Sequence, residues 1–331
     1  MVQAFRTIFP PFRSDISISH NDRTLCIGSC FAEQIGGRLE RLKFPALVNP
    51  FGIVFNPVSI GRSLERLLSP SAAFTETDLV EHQGLWHSFE HHGRFSHPDK
   101  SLALGGINQA FSTAKTFLEA TNRLVVTLGT ARVFVLKKAG EVVANCHKIP
   151  AGDFERRRLS VSEVVAALLP IFEKLKATIP TLEIIATVSP VRHLRDGLSE
   201  NQRSKATLLL ALDEIGQQLP YLHYFPAYEI LLDDLRDYRF YADDMAHPSP
   251  QATDYIWQYF AQAFFDEKTQ ALCSRIEQVM TALAHRPFYP QSTEHQAFVK
   301  RQITTVQQLS AAFPHLDFGR ELELLTTSFH Q

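Results

Sequence analysis

Short apolar runs alternate with amphipathic stretches along most of the chain. Phe31, Ile35 and Leu39, for example, recur at helical spacing directly after the first run. Such alternation is typical of a parallel sheet with helices on both faces, so the pattern predicts an α/β fold. The predicted core strands are residues 24–27, 46–48, 124–128, 182–188 and 222–225.

Two of the predicted helices begin with strong capping signals. Asn56 followed by Pro57 matches an N-cap and first-turn pair, and Ser160 with Glu163 forms a capping box pattern. Apolar residues at helical spacing follow both signals. We therefore expect helices to begin at these two points.

Two regions depart from the alternation. Residues 132–137 and 141–146 flank a Lys-Ala-Gly turn and predict a hairpin inserted after the third core strand, where it would shape one wall of the site. After residue 266 the pattern is wholly helical. We predict an α/β domain over residues 1–266 and a helical C-terminal extension over residues 267–331. We expect that extension to pack on the domain or to mediate a homo-oligomer.

Composition narrows the classes of function. The chain has 331 residues, 45% of them hydrophobic and 21% charged, which is typical of a globular protein. A net charge of −2 argues against nucleic acid as a partner. No apolar run approaches the ~20 residues needed to span a bilayer, so we expect no membrane partner. The four scattered cysteines are typical of a reducing compartment, and we predict a cytoplasmic protein.

The strand-to-helix turn at residues 27–32 carries the first candidate chemistry. Ser29 follows an apolar strand and precedes an amphipathic helix, so it lies at the carboxyl edge of the sheet, beside unpaired helix amides. That position predicts a nucleophilic serine. Cys30 offers an alternative thiol nucleophile, but we interpret it as a small apolar residue packed on the first helical turn.

A candidate base lies far along the chain. Asp244 and His247 are three residues apart, a spacing that places both side chains on one face of a turn or helix. The carboxylate would then hold Nδ1–H of the imidazole and leave Nε2 free to take the serine proton. Asp243 is a second candidate for the orienting carboxylate, and a capped surface turn is the alternative interpretation of the whole segment.

The string Gly28-Ser29-Cys30-Phe31-Ala32 resembles the GSCFA family, which is similar to the SGNH/GDSL hydrolases. Further blocks resemble that family in the same order, at residues 49–52, 127–131, 145–148, 189–193 and 244–248. The resemblance implies a three-layer, flavodoxin-like sandwich with a five-stranded parallel sheet. It also implies a serine-esterase-like site with Ser29, Asp244 and His247 as its triad.

The resemblance further implies an oxyanion hole that includes the amides of Ser29 and Gly52. SGNH enzymes usually add an asparagine after the third strand, but here that strand ends in Gly129-Thr130-Ala131. We expect either that Thr130 or Asn145 donates instead or that the oxyanion hole is weaker. Asn145 is interpreted equally well as a turn residue at a strand end.

Several other polar residues are candidates for substrate binding. His87 belongs to a stretch rich in histidine and aromatic residues, which we interpret as a polar loop that faces the substrate. Arg192 and His193 follow the fourth strand at the same edge as Ser29, where they would bind a carboxylate or a sugar hydroxyl. The alternative is a charged loop paired with Asp196 or Glu200.

We expect neither a metal nor a cofactor, since no Cys or acidic residues stand at zinc-ligand spacing near these histidines. Two classes of function remain. One is an SGNH-like serine hydrolase or acyltransferase for a small-molecule or carbohydrate ester, such as an O-acetyl group. The other is a catalytically silent binding or assembly module that retains the fold.

Overall fold

A five-stranded parallel sheet lies at the centre of the molecule, in a computed structural model that describes residues 7–69, 73–285 and 288–330. The strands in this part of the chain are β1 Thr24–Gly28, β2 Ala46–Val48, β3 Val80–His82, β4 Leu85–His87, β5 Arg123–Leu128, β6 Arg132–Leu136, β7 Glu141–Val143, β8 Phe154–Arg158, β9 Glu183–Val188 and β10 Leu222–Tyr224. The central sheet has the order β10-β9-β5-β1-β2. This is the flavodoxin-like order, so the predicted fold class is confirmed.

Helices cover both faces of the sheet. The helices of the described residues are α1 Cys30–Arg41, α2 Pro57–Leu68, α3 Lys100–Glu119, α4 Val161–Thr178, α5 Leu198–Gln218, α6 Ala227–Glu229, α7 Pro250–Phe264, α8 Glu267–Ala284, α9 Thr293–Ala312 and α10 Gly319–His330. The two predicted caps are confirmed. Asn56 accepts from the Ser59 amide at 2.9 Å, and Ser160 with Glu163 forms the capping box at the start of α4.

Alternate residues of β1 belong to two separate cores. Leu25 and Ile27 pack in the cluster formed with α2, α3, α4 and α5, whereas Cys26 packs in the cluster formed with α1 and α7. A strand buried on both faces reads as a continuous apolar run, which is why β1 is evident in the sequence. The second cluster also contains Val299 and Leu325 of the C-terminal helices. The predicted boundary at residue 266 stays a prediction.

The inserted hairpin is present, but it is part of a larger sheet. β6 pairs with β7 as expected, although β7 ends at Val143 rather than at residue 146. β8 pairs with the other edge of β6 and was not predicted. Its sequence is Phe-Glu-Arg-Arg-Arg, and two of the arginines, Arg156 and Arg158, form ion pairs with Asp196 just before α5 and with Glu200 in its first turn. Charge pairing across distant segments therefore stabilises a strand that has no apolar pattern.

Candidate active site

The turn after β1 requires a glycine. Gly28 has φ +143°, and a Cβ at this position would lie 2.2 Å from the carbonyl oxygen of Thr127. This close approach joins the carboxyl ends of β1 and β5, which are neighbours in the sheet. The chain order of the strands reverses between these two neighbours, and such a switch point is where flavodoxin-like folds bind ligands.

Ser29 caps the helix that follows. Its Oγ accepts from the amide of Phe31 at 3.2 Å and lies 3.0 Å from Oγ1 of Thr127. Its own amide donates to both oxygens of Thr127, to the carbonyl at 3.0 Å and to Oγ1 at 2.9 Å. Ser29 is only 2% exposed. The amide predicted as an oxyanion donor is thus already engaged within the fold.

Gly52, the second predicted donor, lies in a similarly closed turn. With φ +77°, its amide donates to the carbonyl of Asn49 at 2.7 Å. Arg94 donates to the same carbonyl at 2.5 Å, and the Oδ1 of Asn49 accepts from the Gly28 amide at 2.9 Å. This hydrogen-bonded network fixes the end of β2 against the end of β1.

The predicted Asp244–His247 pair is formed. Nδ1 of His247 lies 2.5 Å from Oδ2 of Asp244, whose Oδ1 accepts from the amides of Ala246 and His247 at 2.9 Å each. These backbone hydrogen bonds, together with the imidazole, lower the pKa of Asp244 to about 2. The carboxylate therefore remains ionised at neutral pH. An Nδ1–H held by this carboxylate leaves Nε2 available as a base.

Arg192 holds the loop that carries this pair. Its amide donates to the carbonyl of Ala246 at 2.9 Å, and its guanidinium lies 3.8 Å from the ring centre of Tyr241. The alternative pairing of Arg192 with Asp196 or Glu200 is not formed among the described residues, where both acids pair with Arg132. Arg192 remains a predicted substrate-binding residue, and it also supports the base.

One small cavity joins the two parts of the site. It has a volume of about 50 Å³ and lies between the first turn of α1, the segment after β9 and the His247 loop. Its lining residues are Cys30, Phe31, Gln34, Val191, His247, Pro248 and Thr253. Ser29 does not line it, and within the described part of the chain neither Ser29 nor Cys30 is hydrogen-bonded to His247.

A buried lysine lies at the same edge and was not predicted. Nζ of Lys205 donates to the carbonyls of Gly129 and Ser189, each at 2.6 Å, just beyond the ends of β5 and β9. Burial lowers its pKa to about 7. The sequence did hold a signal, since Lys205 falls on the apolar face of α5 together with Leu208 and Leu212.

The charge of Lys205 also acts on His193, one of the predicted site residues. Burial and the Lys205 charge lower the pKa of His193 to about 3, so the imidazole is neutral. Its Nε2 is buried without a hydrogen-bond partner, and its ring packs on Phe55 with ring centres 5.3 Å apart. The Nε2 of this neutral imidazole is therefore an unsatisfied hydrogen-bonding atom in the interior.

Thr130 and Asn145 both hold local structure. Thr130 is 4% exposed, and its Oγ1 lies 2.8 Å from Oγ of Ser204 and accepts from the Arg132 amide. Asn145 accepts from the amide of His147 at 2.9 Å. Neither side chain lines the cavity beside His247. Their role as oxyanion donors stays a prediction.

Residues 88–97 form turns and a short 3-10 helix, as expected of a loop, but His87 and His91 are buried rather than exposed on it, and the substrate-binding role of His87 stays a prediction. His87 is the last residue of β4 and is 6% exposed, with Nδ1 2.6 Å from Oγ of Ser96 and Nε2 3.2 Å from the carbonyl of His82. His91 is 1% exposed and lies 2.9 Å from Oγ of Ser88. Because hydroxyl and carbonyl groups hydrogen-bond these imidazoles, burying them costs little free energy.

Two wider features of the described residues bear on function. No helix in ranges 7–69, 73–285 and 288–330 is long and apolar enough to cross a membrane. Over the same ranges, no three His, Cys, Asp or Glu side chains are grouped as metal ligands would be.

Comparison with known proteins identifies the family. No curated protein matches the chain significantly. Residues 276–331 match the C-terminal domain of the GSCFA domain proteins. Residues 23–260 match the GSCFA family, and this match spans the turn at Ser29, the lysine on α5 and the Asp244–His247 loop. Because the match covers more than half of the chain, the protein belongs to the GSCFA family.

Proposed function

We propose that this protein is an SGNH-like hydrolase that cleaves an ester by acyl transfer. The observation that carries the proposal is the 2.5 Å contact between His247 and Asp244 beside the cavity at the end of β1. An imidazole oriented by a carboxylate takes a proton from the attacking group and returns it to the leaving alcohol. Ser29 and Cys30 are the two candidate attacking residues at the turn.

The position in the fold supports this function. Cys30 lies two residues beyond β1, and Val191 lies three beyond β9, so the cavity opens at the carboxyl ends of the strands. Ligands of open α/β sheets bind at this edge. The first helix also directs its N-terminal amides toward the cavity residues, and these amides favour developing negative charge.

The dimensions of the site indicate a small acyl group. A cavity of about 50 Å³ accepts an acetyl group but not a long acyl chain. Beside the His247 loop, a second cavity of about 150 Å³ is lined by Arg192, Tyr238 and Tyr241 among other residues. Tyr238 is 65% exposed and Tyr241 is partly buried beneath Arg192, and an arginine beside an exposed aromatic ring suits a sugar carrying hydroxyl groups. We therefore propose an O-acetyl carbohydrate as the substrate.

One observation favours the second function, a silent binding module with the same fold. The amides of Ser29 and Gly52 donate to Thr127 and Asn49, so neither is free to bind an oxyanion in this arrangement. A hydrolase would need another donor, such as the amide of Cys30, because the Phe31 and Ala32 amides donate to Ser29. An acyltransferase differs only in the final acceptor of the acyl group.

Turnover of a graded ester series tests the proposal. The purified chain is assayed with p-nitrophenyl acetate, butyrate and octanoate, and with peracetylated sugars. We expect saturable cleavage that falls sharply from acetate to octanoate, because the cavity is small. His247→Ala is the negative control, and Asp243→Asn is the matched control next to Asp244. Rates equal to the uncatalysed reaction for every ester would favour the silent module.

A further inference from the structure

The two neighbouring residues at the turn differ in what they contact. Ser29 is 2% exposed, and both its amide and its Oγ contact Thr127. Cys30 is partly exposed and lines the cavity that His247 also lines. A group that attacks a substrate must reach both the substrate and the base. Only Cys30 shares a cavity with the imidazole.

We propose that Sγ of Cys30, rather than Oγ of Ser29, is the attacking atom of this site, with His247 as its base and Asp244 as the orienting carboxylate. This inference rests on the proposed acyl-transfer function. It assigns Ser29 a structural role as the N-cap of α1, which its hydrogen bond to the Phe31 amide already fulfils.

Burial, with a further contribution from the Glu33 charge, raises the pKa of the Cys30 thiol. The amides of Cys30 and Phe31 at the N-terminus of α1 and the charge of Lys205 act in the opposite direction without reversing this shift. The resting group is therefore a thiol, and it needs a neighbouring base to lose its proton. His247 lies on the same cavity.

When Lys205 is protonated, its charge has no carboxylate partner among the described residues. Its Nζ is fully buried and is held by two carbonyls rather than by a carboxylate. Burying an ammonium without an anionic partner is costly. A thiolate that forms at Cys30 would provide an anionic partner, and electrostatic coupling between the two groups acts in both directions.

The reaction balances without any further reagent. The S–H bond of Cys30 breaks and its proton moves to Nε2 of His247, while Sγ bonds to the acyl carbon and the carbonyl electron pair moves to oxygen. When the carbonyl re-forms, the ester C–O bond breaks and the leaving alcohol takes the proton from His247. His247 then takes a proton from water as the water oxygen attacks the thioester carbon, the C–S bond breaks, the carboxylic acid leaves, and the proton passes from His247 to Sγ to restore the thiol.

Alkylation of the thiol tests the assignment without a substrate. The full chain is treated with iodoacetamide, and the rate at each cysteine is followed by peptide mass spectrometry. We expect His247→Ala to slow alkylation of Cys30 by about tenfold or more, the effect of one pKa unit on the thiolate fraction. Cys146 is the internal control, since it is also partly exposed but does not line this cavity. Equal rates at Cys30 with and without His247 would overturn the inference.

Trapping of the acyl group is the second measurement. After brief reaction with p-nitrophenyl acetate, we expect an acetyl adduct on Cys30 that neutral hydroxylamine removes, and we expect Cys30→Ala to lose turnover. Ser29→Gly should keep both in a folded chain, although losing the contacts of Oγ with Thr127 and with the Phe31 amide should lower the free energy of unfolding. Thermal unfolding of each variant verifies that it is folded.

The outcomes separate the two proposals. A stable adduct on Ser29, or turnover that persists in Cys30→Ala, would overturn the thiol assignment and leave ester cleavage standing. If the alkylation rate of Cys30 depends on His247 but the chain cleaves no ester, the reactive thiol is upheld and the proposed reaction is overturned.

Discussion

The turn after β1 and the loop before α7 contribute the two parts of the candidate site, and they are held in different ways. Ser29 at the turn is almost fully buried and hydrogen-bonded to Thr127, a residue 98 positions away in sequence. Asp244 and His247 are about half exposed, at 51% and 50%, and the hydrogen bonds that orient them are local. Arg192 provides the support from outside the loop.

This difference predicts that substitutions in the turn and in the loop have different effects, the first on stability and the second on turnover. Changes at the turn remove buried hydrogen bonds that hold strands together, so they should lower the free energy of unfolding. Changes in the exposed loop break few long-range contacts, so they should affect turnover while the fold survives. Four predictions test this division.

The largest effect is expected on the loop side. His247→Ala removes the proposed base, and general acid–base catalysis typically contributes about 10²–10⁴-fold to a rate. We expect kcat to fall by that factor, with the thermal midpoint nearly unchanged because the side chain is half exposed. Steady-state turnover of p-nitrophenyl acetate and a melting curve measure both quantities. A normal rate in a folded variant would contradict the role of His247.

The orienting carboxylate should matter less than the base. Asp244→Asn weakens a hydrogen bond to a group that becomes charged in the reaction, which is worth about 1.5–3 kcal/mol and corresponds to about a 10- to 100-fold loss of kcat. Because the pKa of Asp244 is about 2, its own protonation should not limit activity at pH 4–9. Asp243→Asn is the matched control. Equal losses in the two variants would favour general disruption of the loop.

The third prediction concerns acid stability on the turn side. His91 packs against Phe51 beside Gly52, and burial lowers its pKa to about 3 from an ordinary value near 6.5. His147 is similarly lowered, to about 4. Between these values and pH 6.5 the unfolded chain binds more protons than the folded one. The stability contributed by neutral histidine is therefore complete above pH 6.5 and is lost as the pH falls below it.

Denaturant unfolding between pH 7 and pH 5 measures this loss. A single buried neutral histidine changes the unfolding equilibrium by about tenfold per pH unit within that window. His91→Gln should make the pH dependence shallower, whereas His285→Gln, at an exposed position, should leave it unchanged. Identical slopes in wild type and His91→Gln would show that His91 titrates normally in the folded protein.

How far the sequence predicts these two parts depends on the range of the interactions. The strand before Ser29 is evident because it is apolar on both faces, and Asp244 with His247 are evident because their contact spans three residues. The strand β8 and the placement of Lys205 depend instead on partners many positions away. Lys205 falls on the apolar face of α5, but the carbonyls that accept its hydrogen bonds belong to Gly129 and Ser189, just beyond the ends of β5 and β9.

The same reasoning explains the choice between Ser29 and Cys30. Position at a strand-to-helix turn is a local signal and applies equally to both residues. Their difference arises from contacts with β5, which bury the serine, and from the His247 loop, which forms one wall of the cavity beside the cysteine. Neither contact is visible in the string of residues 27–32.

The smallest expected effect isolates the turn from the chemistry. Oδ1 of Asn49 is the acceptor for the Gly28 amide, and Asn49 is fully buried. Asn49→Ala leaves that amide buried without a partner, which costs about 1–3 kcal/mol of unfolding free energy. The backbone of Asn49 is left-handed, with φ +45°. Alanine adopts this conformation less readily than asparagine, so the substitution adds backbone strain and does not offset the cost. Denaturant unfolding measures the loss, with Asn21→Ala at an exposed position as the control. If Asn49→Ala abolished turnover while stability was unchanged, the turn would take part in the chemistry directly, and the division between a structural turn and a chemical loop would fail.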